Sequence, residues 1–574
     1  MPRPPFDRST RLAAERRLFT PGPRGALSVC LVYPNTYPVA MANLGFQAMI
    51  RLLGEDPRVD VDRAYLPDGP RSGWPRTLRS FEQDRAVADF DVIAFSISFE
   101  TDYLHVLDVL SLAGLPLRRS DRGPTAPLVL AGGPATFLNP EPIAEFVDLC
   151  LIGEAEEMLG EFLTGAVVGP ITRDGILERT EQVAGAYRPA RWTPGYDDAG
   201  DLVAFEHDGP GSARVVRRYV ADIDAFDTRT EILTDEAVFA DKYVIEASRG
   251  CEWGCRFCAA GFMYRPVRYR SPERIGASID RGLVERDGIG LVGAEMASQP
   301  GIVGLCQKIA AAGGRASPSS LKADVITPAL AAALGASGNR SVTIAPEAGS
   351  ERMRRVINKN LTEPEILRAA EWLVGGGVDA LKLYVMVGLP TETDDDVRAI
   401  TALATKLRGR LMAGGRPKFG RMLVSINPFV PKPWTPFQWE PMEALPSLKR
   451  KLARVRRDLS VIPALQVETE SPREGYLQTL LSRGDRRVAD ILERLHARPD
   501  DWWAVLKGLR GGREDVVDPD RFVHRPFGAA ELLPWDFIDH AVDKRYLLAE
   551  RRKALTEVQT PPCDTHTCHS CGAC

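Results

Sequence analysis

Residues 246–258 read Glu246-Ala247-Ser248-Arg249-Gly250-Cys251-Glu252-Trp253-Gly254-Cys255-Arg256-Phe257-Cys258, so three cysteines stand at CxxxCxxC spacing within eight residues. A tetrahedral zinc site takes four ligands, and this stretch offers three cysteines and no histidine. A four-iron four-sulfur cluster is ordinarily held by four cysteines, so three leave one iron open for a small molecule. The plainer alternative is a trio of buried or zinc-binding thiols. Just upstream, Tyr243-Val-Ile-Glu-Ala247 has the apolar, β-branched character of a strand. The cysteines therefore follow the C-terminal end of a strand, where α/β barrels carry their chemistry.

Further strands separated by helical stretches are read at 289–293, 341–345, 380–387 and 421–426. About six strand–helix units over 243–440 predict a partial TIM-type (β/α)6 barrel. Upstream, strands at 27–33, 59–66, 91–98, 127–133 and 147–154 alternate with helices such as 43–53, closed by Gly54, and 103–112. That alternation predicts a Rossmann-like, doubly wound parallel sheet, whose ligands bind at the C-terminal strand ends. Those ends carry residues 34–37, residues 96–100, Gly132-Gly133-Pro134 and Gly153-Glu154. The expected organisation is a tail at 1–25, the Rossmann-like domain at 26–165 and a linker with a small β hairpin at 166–240. The barrel core follows at 241–440, a mostly helical region at 441–555 and a cysteine-rich tail at 556–574.

The chain has 574 residues, 44% of them hydrophobic, and a formal net charge of −4. No global field draws it to nucleic acid or membrane, so such binding needs a local patch. The one candidate is a basic helix at 447–457 with Lys449, Arg450, Lys451, Arg454, Arg456 and Arg457. It reads either as a grip on RNA phosphates or, more ordinarily, as a solvated helix face. No run reaches the length of a membrane span and the N-terminus lacks an apolar signal core, so a cytoplasmic protein is expected. Of ten cysteines, Cys30, Cys150 and Cys306 lie in apolar surroundings and are read as buried thiols. Cys563, Cys568, Cys571 and Cys574 crowd the last dozen residues at Cx4CxxCxxC spacing, with His566 and His569 among them. Clustered cysteines in a large chain without a signal point to metal ligation, by zinc or by a second iron–sulfur cluster.

The trio, with Phe257 just before its third cysteine, resembles the signature of radical S-adenosylmethionine (radical SAM) enzymes. The resemblance implies that the open iron is chelated by the amino and carboxylate groups of SAM, with the aromatic near the adenine. Gly293-Ala294-Glu295 resembles the family's GGE-like motif with its middle glycine replaced, which implies SAM contacts at Gly293 and Glu295. Ala345-Pro-Glu347-Ala-Gly-Ser350 makes Glu347 a further candidate, beside its reading as a solvated strand-end carboxylate. The stretch from Lys382 through Gly388-Leu-Pro390-Thr-Glu392 resembles the glycine–proline turn after the fifth strand. Lys382 itself falls in an apolar strand, where a buried lysine must be paired, and reads as a barrel ion pair or, less readily, as a SAM or substrate contact. Residues 427–439 close the core. Together these resemble an Elp3/MiaB/NifB-type core, and an uncharacterised radical SAM group with an N-terminal cobalamin-binding-like domain and a C-terminal cysteine cluster.

Ala131-Gly-Gly-Pro134 and Ile152-Gly-Glu-Ala-Glu156, ahead of such a core, are similar to the cobalamin-binding domain of that class. The DxHxxG motif is missing, the loop being Pro34-Asn35-Thr36-Tyr37-Pro38. Cobalamin binding and a purely architectural domain both stay open, since fold alone does not fix function. What the resemblance implies is reductive cleavage of SAM to start radical chemistry, with methyl transfer as the outcome if cobalamin is bound. The alternatives are methylthiotransferase-like modification of RNA or ribosomal protein without cobalamin, and a non-catalytic metal or corrinoid binder. An electron donor of flavodoxin or ferredoxin type is implied as partner. No stretch identifies the substrate.

Overall fold

The computed structural model describes residues 8–413, 420–512, 515–565 and 567–573. Two of the residues singled out in the tail, His566 and Cys574, lie outside the described residues.

The N-terminal sheet is built on β1 (Leu27–Thr36), whose first eight residues are all buried. An apolar run of that kind suits a parallel strand covered on both faces. Helix α1 (Leu44–Glu55) begins where the Asn43 side chain accepts the Phe46 N–H at 2.8 Å. Gly54, expected to close α1, lies inside it; a Cβ there would stand 3.0 Å from the Phe19 ring. Then come β2 (Val59–Leu66), β3 (Val92–Ser96), α2 (Asp102–Leu112), β4 (Leu128–Gly132), β5 (Leu149–Leu151), α3 (Ala155–Val167) and β6 (Ala186–Tyr187). The strand order is β2-β1-β3-β4-β5-β6, parallel except for the antiparallel last pair. In this order the strand direction of travel reverses between β1 and β3, the place where such sheets open a crevice. The sheet thus runs past residue 165 to take in Tyr187. A hairpin of β7 (Trp192–Tyr196) and β8 (Leu202–His207) follows, as expected for the linker.

Residues 8–25 pack on this domain. Arg16–Arg17 pairs antiparallel with Ile232–Leu233, and Glu15 joins Glu82 on the guanidinium of Arg63, which is 1% exposed.

The second sheet system starts with β9 (Lys242–Glu246), α4 (Pro272–Glu285), β10 (Gly288–Val292), α5 (Ile302–Ala311) and β11 (Arg315–Pro318). It continues through α6 (Pro328–Ala336), β12 (Ser341–Glu347), α7 (Glu363–Gly376), β13 (Ala380–Val387), α8 (Asp394–Ala413) and β14 (Arg421–Pro428). After α9 (Leu445–Ser460) comes β15 (Leu465–Thr469). The strands form parallel sheets β9-β10-β11 and β12-β13-β14-β15, joined by a bridge between Leu321 and Ile344. Six strands with their helices give the expected open, TIM-type arrangement, and β15 adds a seventh strand from the region expected to be mostly helical. The sequence reading passed over β11, because Arg315-Ala-Ser-Pro318 carries no apolar run. Lys382 pairs with Glu468 of β15 at 3.4 Å, the ion pair expected of it.

The C-terminal region supplies α10 (Pro472–Arg483), α11 (Val488–Ala497) and α12 (Lys544–Leu555). It docks the N-terminal domain. Asn139 Nδ2 donates to Gly484 O at 2.7 Å, and Arg486 holds Glu141 at 3.0 Å, both buried. Fully buried His540 donates through Nε2 to Phe137 O at 2.8 Å. Cys30, Cys150 and Cys306 are buried, as expected. Among the described residues no helix is long and apolar enough to cross a membrane.

Burial, with Arg217 nearby, depresses His540 to about 3 from an ordinary 6.5. A histidine lowered in the folded state contributes stability that is complete above about 6.5 and declines as pH falls towards 3. Denaturant unfolding at pH values across that window therefore loses stability steadily on acidification, and His540→Gln, which keeps a donor, removes part of the slope. An unchanged slope in His540→Gln contradicts the assignment.

Candidate functional site

The cysteine loop leaves β9 and is closed at its base by a short antiparallel ladder, Ser248 with Tyr269 and Arg249 with Arg268. Inside it Cys255 is buried, and Cys251 and Cys258 are half-buried. Burial raises all three thiols, Cys255 to about 11, with the neighbouring cysteines adding to the effect on Cys251. Thiols so placed ionise when a cation takes them, because the thiolate is the ligand. Among the described residues no three His, Cys, Asp or Glu side chains gather where a single ion could bind them all.

The protein surrounds the loop with buried cations. Lys322 Nζ lies 3.7 Å from the centre of the Trp253 ring. Lys359 pairs with Glu347 at 3.5 Å. Burial pulls Lys359 down, but the charges of Glu347, Cys255 and Cys258 outweigh it and hold the ammonium above its ordinary range. Burial raises the Glu347 carboxyl against the pull of Lys359. Lys359 stands between Asn358 and Asn360, both in the left-handed region, which asparagine tolerates. The Asn358 amide donates to Gly254 O at 3.1 Å, so this turn braces the loop directly. Phe257 packs on an apolar cluster that includes Met353, Ile357, Phe429 and Phe437.

The other residues singled out line the strand ends. Gly293 directly follows β10, and a Cβ there would come within 2.3 Å of Ser248 Oγ. Glu295 is turned inward; its carboxylate accepts the N–H groups of Ala297 and Ser298 at 2.7 Å and of Lys322 at 3.1 Å. It braces the turn after β10 and ties it to Lys322. Gly388, at φ 83°, donates its N–H to Glu392 at 2.8 Å. Ser248 Oγ, Trp253 Nε1 and Asn427 Oδ1 are buried and have no hydrogen-bond partner among the described residues. All three stand at or just past the C-terminal ends of β9 and β14, as capacity left for a polar ligand.

A cavity of about 420 Å³ joins these strand ends to those of the N-terminal sheet. One wall is Ser248, Arg249, Gly250, Tyr264 and Gly293 of the cysteine-loop side; the other is Ser96, Ser98, Gly132, Gly133 and Gly153. From there it deepens as an apolar slot between the sheet (Val29, Leu31, Ala94) and helices α1 and α3 (Ala48, Leu52, Leu159, Phe162). Among the described residues no histidine lines it. The two walls are locked by buried ions. Glu154, just past β5, accepts both Nη groups of Arg268, at 2.8 and 2.6 Å, and Arg249 Nη1 at 2.9 Å. Arg249 also reaches Glu156 and, at 2.9 Å, Glu246. Burial raises Glu154, but Arg268 and Arg249 more than offset it, and its carboxyl lies below its usual range.

The C-terminal tail lies against the same loop. The guanidinium of Arg256, fully buried, meets Glu550 of α12 at 3.1 Å and Val558 O at 2.7 Å. Cys563 N–H donates to Glu252 O at 2.8 Å. Of the basic helix, Lys451 is buried between Glu392 and Glu443, each at 2.7 Å, so it belongs to the core; Lys449, Arg450, Arg456 and Arg457 are exposed. Sequence reasoning found the trio and the strand-end glycines. It missed Lys322, Lys359, and Arg249 and Arg256, whose partners Glu154 and Glu550 lie far away in sequence; the paired Asn358 and Asn360 were the one local sign of a special turn.

Residues 45–189 match the family model described as Radical SAM proteins, N-terminal, and residues 245–404 match that of the Radical SAM superfamily. An uncharacterised protein of Methanocaldococcus jannaschii is 27% identical over 468 residues, 81% of this chain and 90% of that one. Among solved structures, the fold is similar to the radical SAM methyltransferase TsrM of Kitasatospora setae with tryptophan substrate and a SAM analogue bound. The TM-score is 0.50 at 14% identity, over 93% of this chain and 97% of that one. Against the cobalamin-dependent enzyme OxsB with aqua-cobalamin and SAM bound, the TM-score is 0.45 at 14% identity, over 92% and 79% of the two chains.

Removing one partner of a buried pair leaves an uncompensated charge, at a cost of about 3–5 kcal/mol. Glu550 also has Lys553 and Thr560, so Arg256→Met is expected at the lower end, and Arg256→Met with Glu550→Leu recovers most of it. Thermal unfolding of the single and double variants checks this; a double variant no better than the single one contradicts it.

Proposed function

Because the chain is a radical SAM protein, carrying that superfamily's domain at 245–404, we propose that it is a corrinoid-dependent radical SAM methyltransferase. In this reading Cys251, Cys255 and Cys258 hold a four-iron four-sulfur cluster whose open iron takes SAM, and the interdomain cavity takes a corrinoid. The observation that carries it is that one cavity is walled by the C-terminal strand ends of both sheets, beside the cysteine loop.

The residues fit both groups. Three thiols beside two buried lysines suit a cluster whose thiolate ligands make it anionic. The unpartnered Ser248, Trp253 and Asn427 atoms suit the polar end of SAM. Glycine-edged strand ends leave room for a flat ring at the cavity mouth, and the slot between the sheet and α1 and α3 suits a nucleotide tail. Among the described residues the lining offers no imidazole, so none of them would supply a histidine ligand to the corrinoid. When bound, the cluster supplies the electron that cleaves SAM and the corrinoid supplies a transferable methyl group.

The chain's own work is positioning and exclusion. Phe257 presents an aromatic wall beside the third cysteine. Gly293 lets the ligand approach the backbone of β10, and Glu295 keeps that strand end in place. Gly388 shapes the turn after β13. Glu347 holds Lys359 next to the thiolates. The Glu154–Arg249–Arg268 cluster fixes the separation of the two walls, and the docked C-terminal region helps keep water from the site. Cys563, Cys568 and Cys571, with Cys574, form a second metal site. The electron comes from a carrier protein of flavodoxin or ferredoxin type, and the methyl acceptor is a small molecule or chain segment reaching the cavity.

Anaerobically reconstituted protein is expected to retain cobalamin and to cleave SAM to 5′-deoxyadenosine or demethylate it to S-adenosylhomocysteine, both lost in Cys255→Ala. Ala48→Trp fills the slot; overpacking of about 1–3 kcal/mol weakens cobalamin binding roughly tenfold and spares the iron content. SAM turnover by protein that binds no corrinoid overturns the methyltransferase and favours the methylthiotransferase-like alternative.

A further inference from the structure

Lys322 stands where the two parallel sheets of the barrel join. Leu321, just before it, makes the bridge to Ile344, and the Lys322 N–H donates to Glu295 at 3.1 Å. Its ammonium lies 3.7 Å from the centre of the Trp253 ring, donates to Asp324 Oδ2 and reaches Asn360 O at 3.4 Å. An ammonium carries three protons, and an indole face, a carboxylate and a carbonyl take them here. Lys322 is thus held at its backbone and at its tip, and its donors are spent inside the protein.

Trp253 is the middle residue of Cys251-Glu-Trp-Gly-Cys255, two positions from each cysteine. A cation over an indole face draws the ring's electron density towards itself. The charge of Lys322 therefore acts on the cysteine loop through Trp253. On that ring Nε1 is buried and has no hydrogen-bond partner among the described residues, so a polarised N–H is left for whatever the loop holds.

Asp324 opposes this charge, but unequally. The Lys322 side chain is 3% exposed and that of Asp324 17%. Water screens the carboxylate more than the ammonium, so the pair leaves a net positive field on the loop.

We propose that Lys322, acting through Trp253, sets the reduction potential of the site at Cys251, Cys255 and Cys258 by favouring its reduced form. The inference rests on the reading of those cysteines as cluster ligands and adds what governs how readily the site takes its electron. The step is the gain of one electron from the carrier protein, which is oxidised; no bond forms or breaks and no proton moves. The potential of such a site depends on its charge and on hydrogen bonds to its sulfurs. Reduction adds a negative charge, and a fixed buried cation favours it. Lys322 is a positioning residue: it touches Trp253 and no reacting atom.

The test is a potentiometric titration of the full chain, reconstituted without oxygen and free of SAM, followed by electron paramagnetic resonance. Lys322→Gln removes the charge and is expected to shift the equilibrium about tenfold towards the oxidised form, about 59 mV for one electron. Lys322→Arg keeps the charge and stays near wild type. Asp324→Asn keeps the lysine, removes its counter-charge and shifts the potential in the opposite direction, which a merely structural role of the pair does not do. In a Trp253→Leu background the Lys322→Gln shift shrinks, as coupled residues require. Should Lys322→Gln not take up iron, the direction of the Asp324→Asn shift decides alone. Unchanged potentials, or shifts of Lys322→Gln and Asp324→Asn in the same direction, overturn the proposal. Weakened SAM binding at an unchanged potential also overturns it and makes Lys322 a ligand contact. Wild-type protein that takes up no iron–sulfur cluster overturns the underlying reading of the trio instead.

Discussion

The carboxylate of Glu154 is the constraint on which the site depends. It stands just past β5 of one sheet, at the start of α3, and is taken by Arg249 and Arg268, which flank the cysteine loop of the other. Both arginines belong to the two-residue ladder that closes that loop. Buried ions are poor sources of net stability but punish rearrangement severely. Their effect here is on geometry. They hold two strand-end faces across one cavity of about 420 Å³. Both folds place chemistry at C-terminal strand ends for independent reasons, and the ion cluster turns two such faces into one site.

Charge around the cysteines follows the same economy. Three thiols and two carboxylates, Glu347 and Asp324, are set against Lys359 and Lys322 in surroundings of low polarity. Without those lysines a buried anionic group would face the full desolvation cost. The C-terminal region completes the enclosure from the far side of the loop, with Arg256 fixed between Glu550 and the carbonyls of residues 355, 356 and 558.

Much of this was legible in the sequence where the signal is local. Cysteine spacing, apolar strand runs and the glycines at 132–133 and 293 announce themselves within a few residues. The strand β11 was not legible, because Arg315-Ala-Ser-Pro318 owes its conformation to pairing with β10. The seventh strand, β15, was hidden in a stretch of half-polar alternation. The roles of Arg249 and Arg256 depend on Glu154 and Glu550, 95 and 294 residues away, and an isolated basic residue gives no sign of which carboxylate it will meet. Lys451 makes the same point in reverse: it looked like part of a solvated basic face, yet it is buried between Glu392 and Glu443.

The central claim is that one cavity serves both sheets. Anomalous scattering at the iron and cobalt edges, from crystals of reconstituted protein grown without oxygen and with cobalamin, tests it most directly. The account predicts an iron peak bounded by Cys251, Cys255 and Cys258, and a cobalt peak in the cavity between Gly132-Gly133 and Gly293. Iron at the cysteine loop with cobalt elsewhere, or with no bound cobalt, would contradict it.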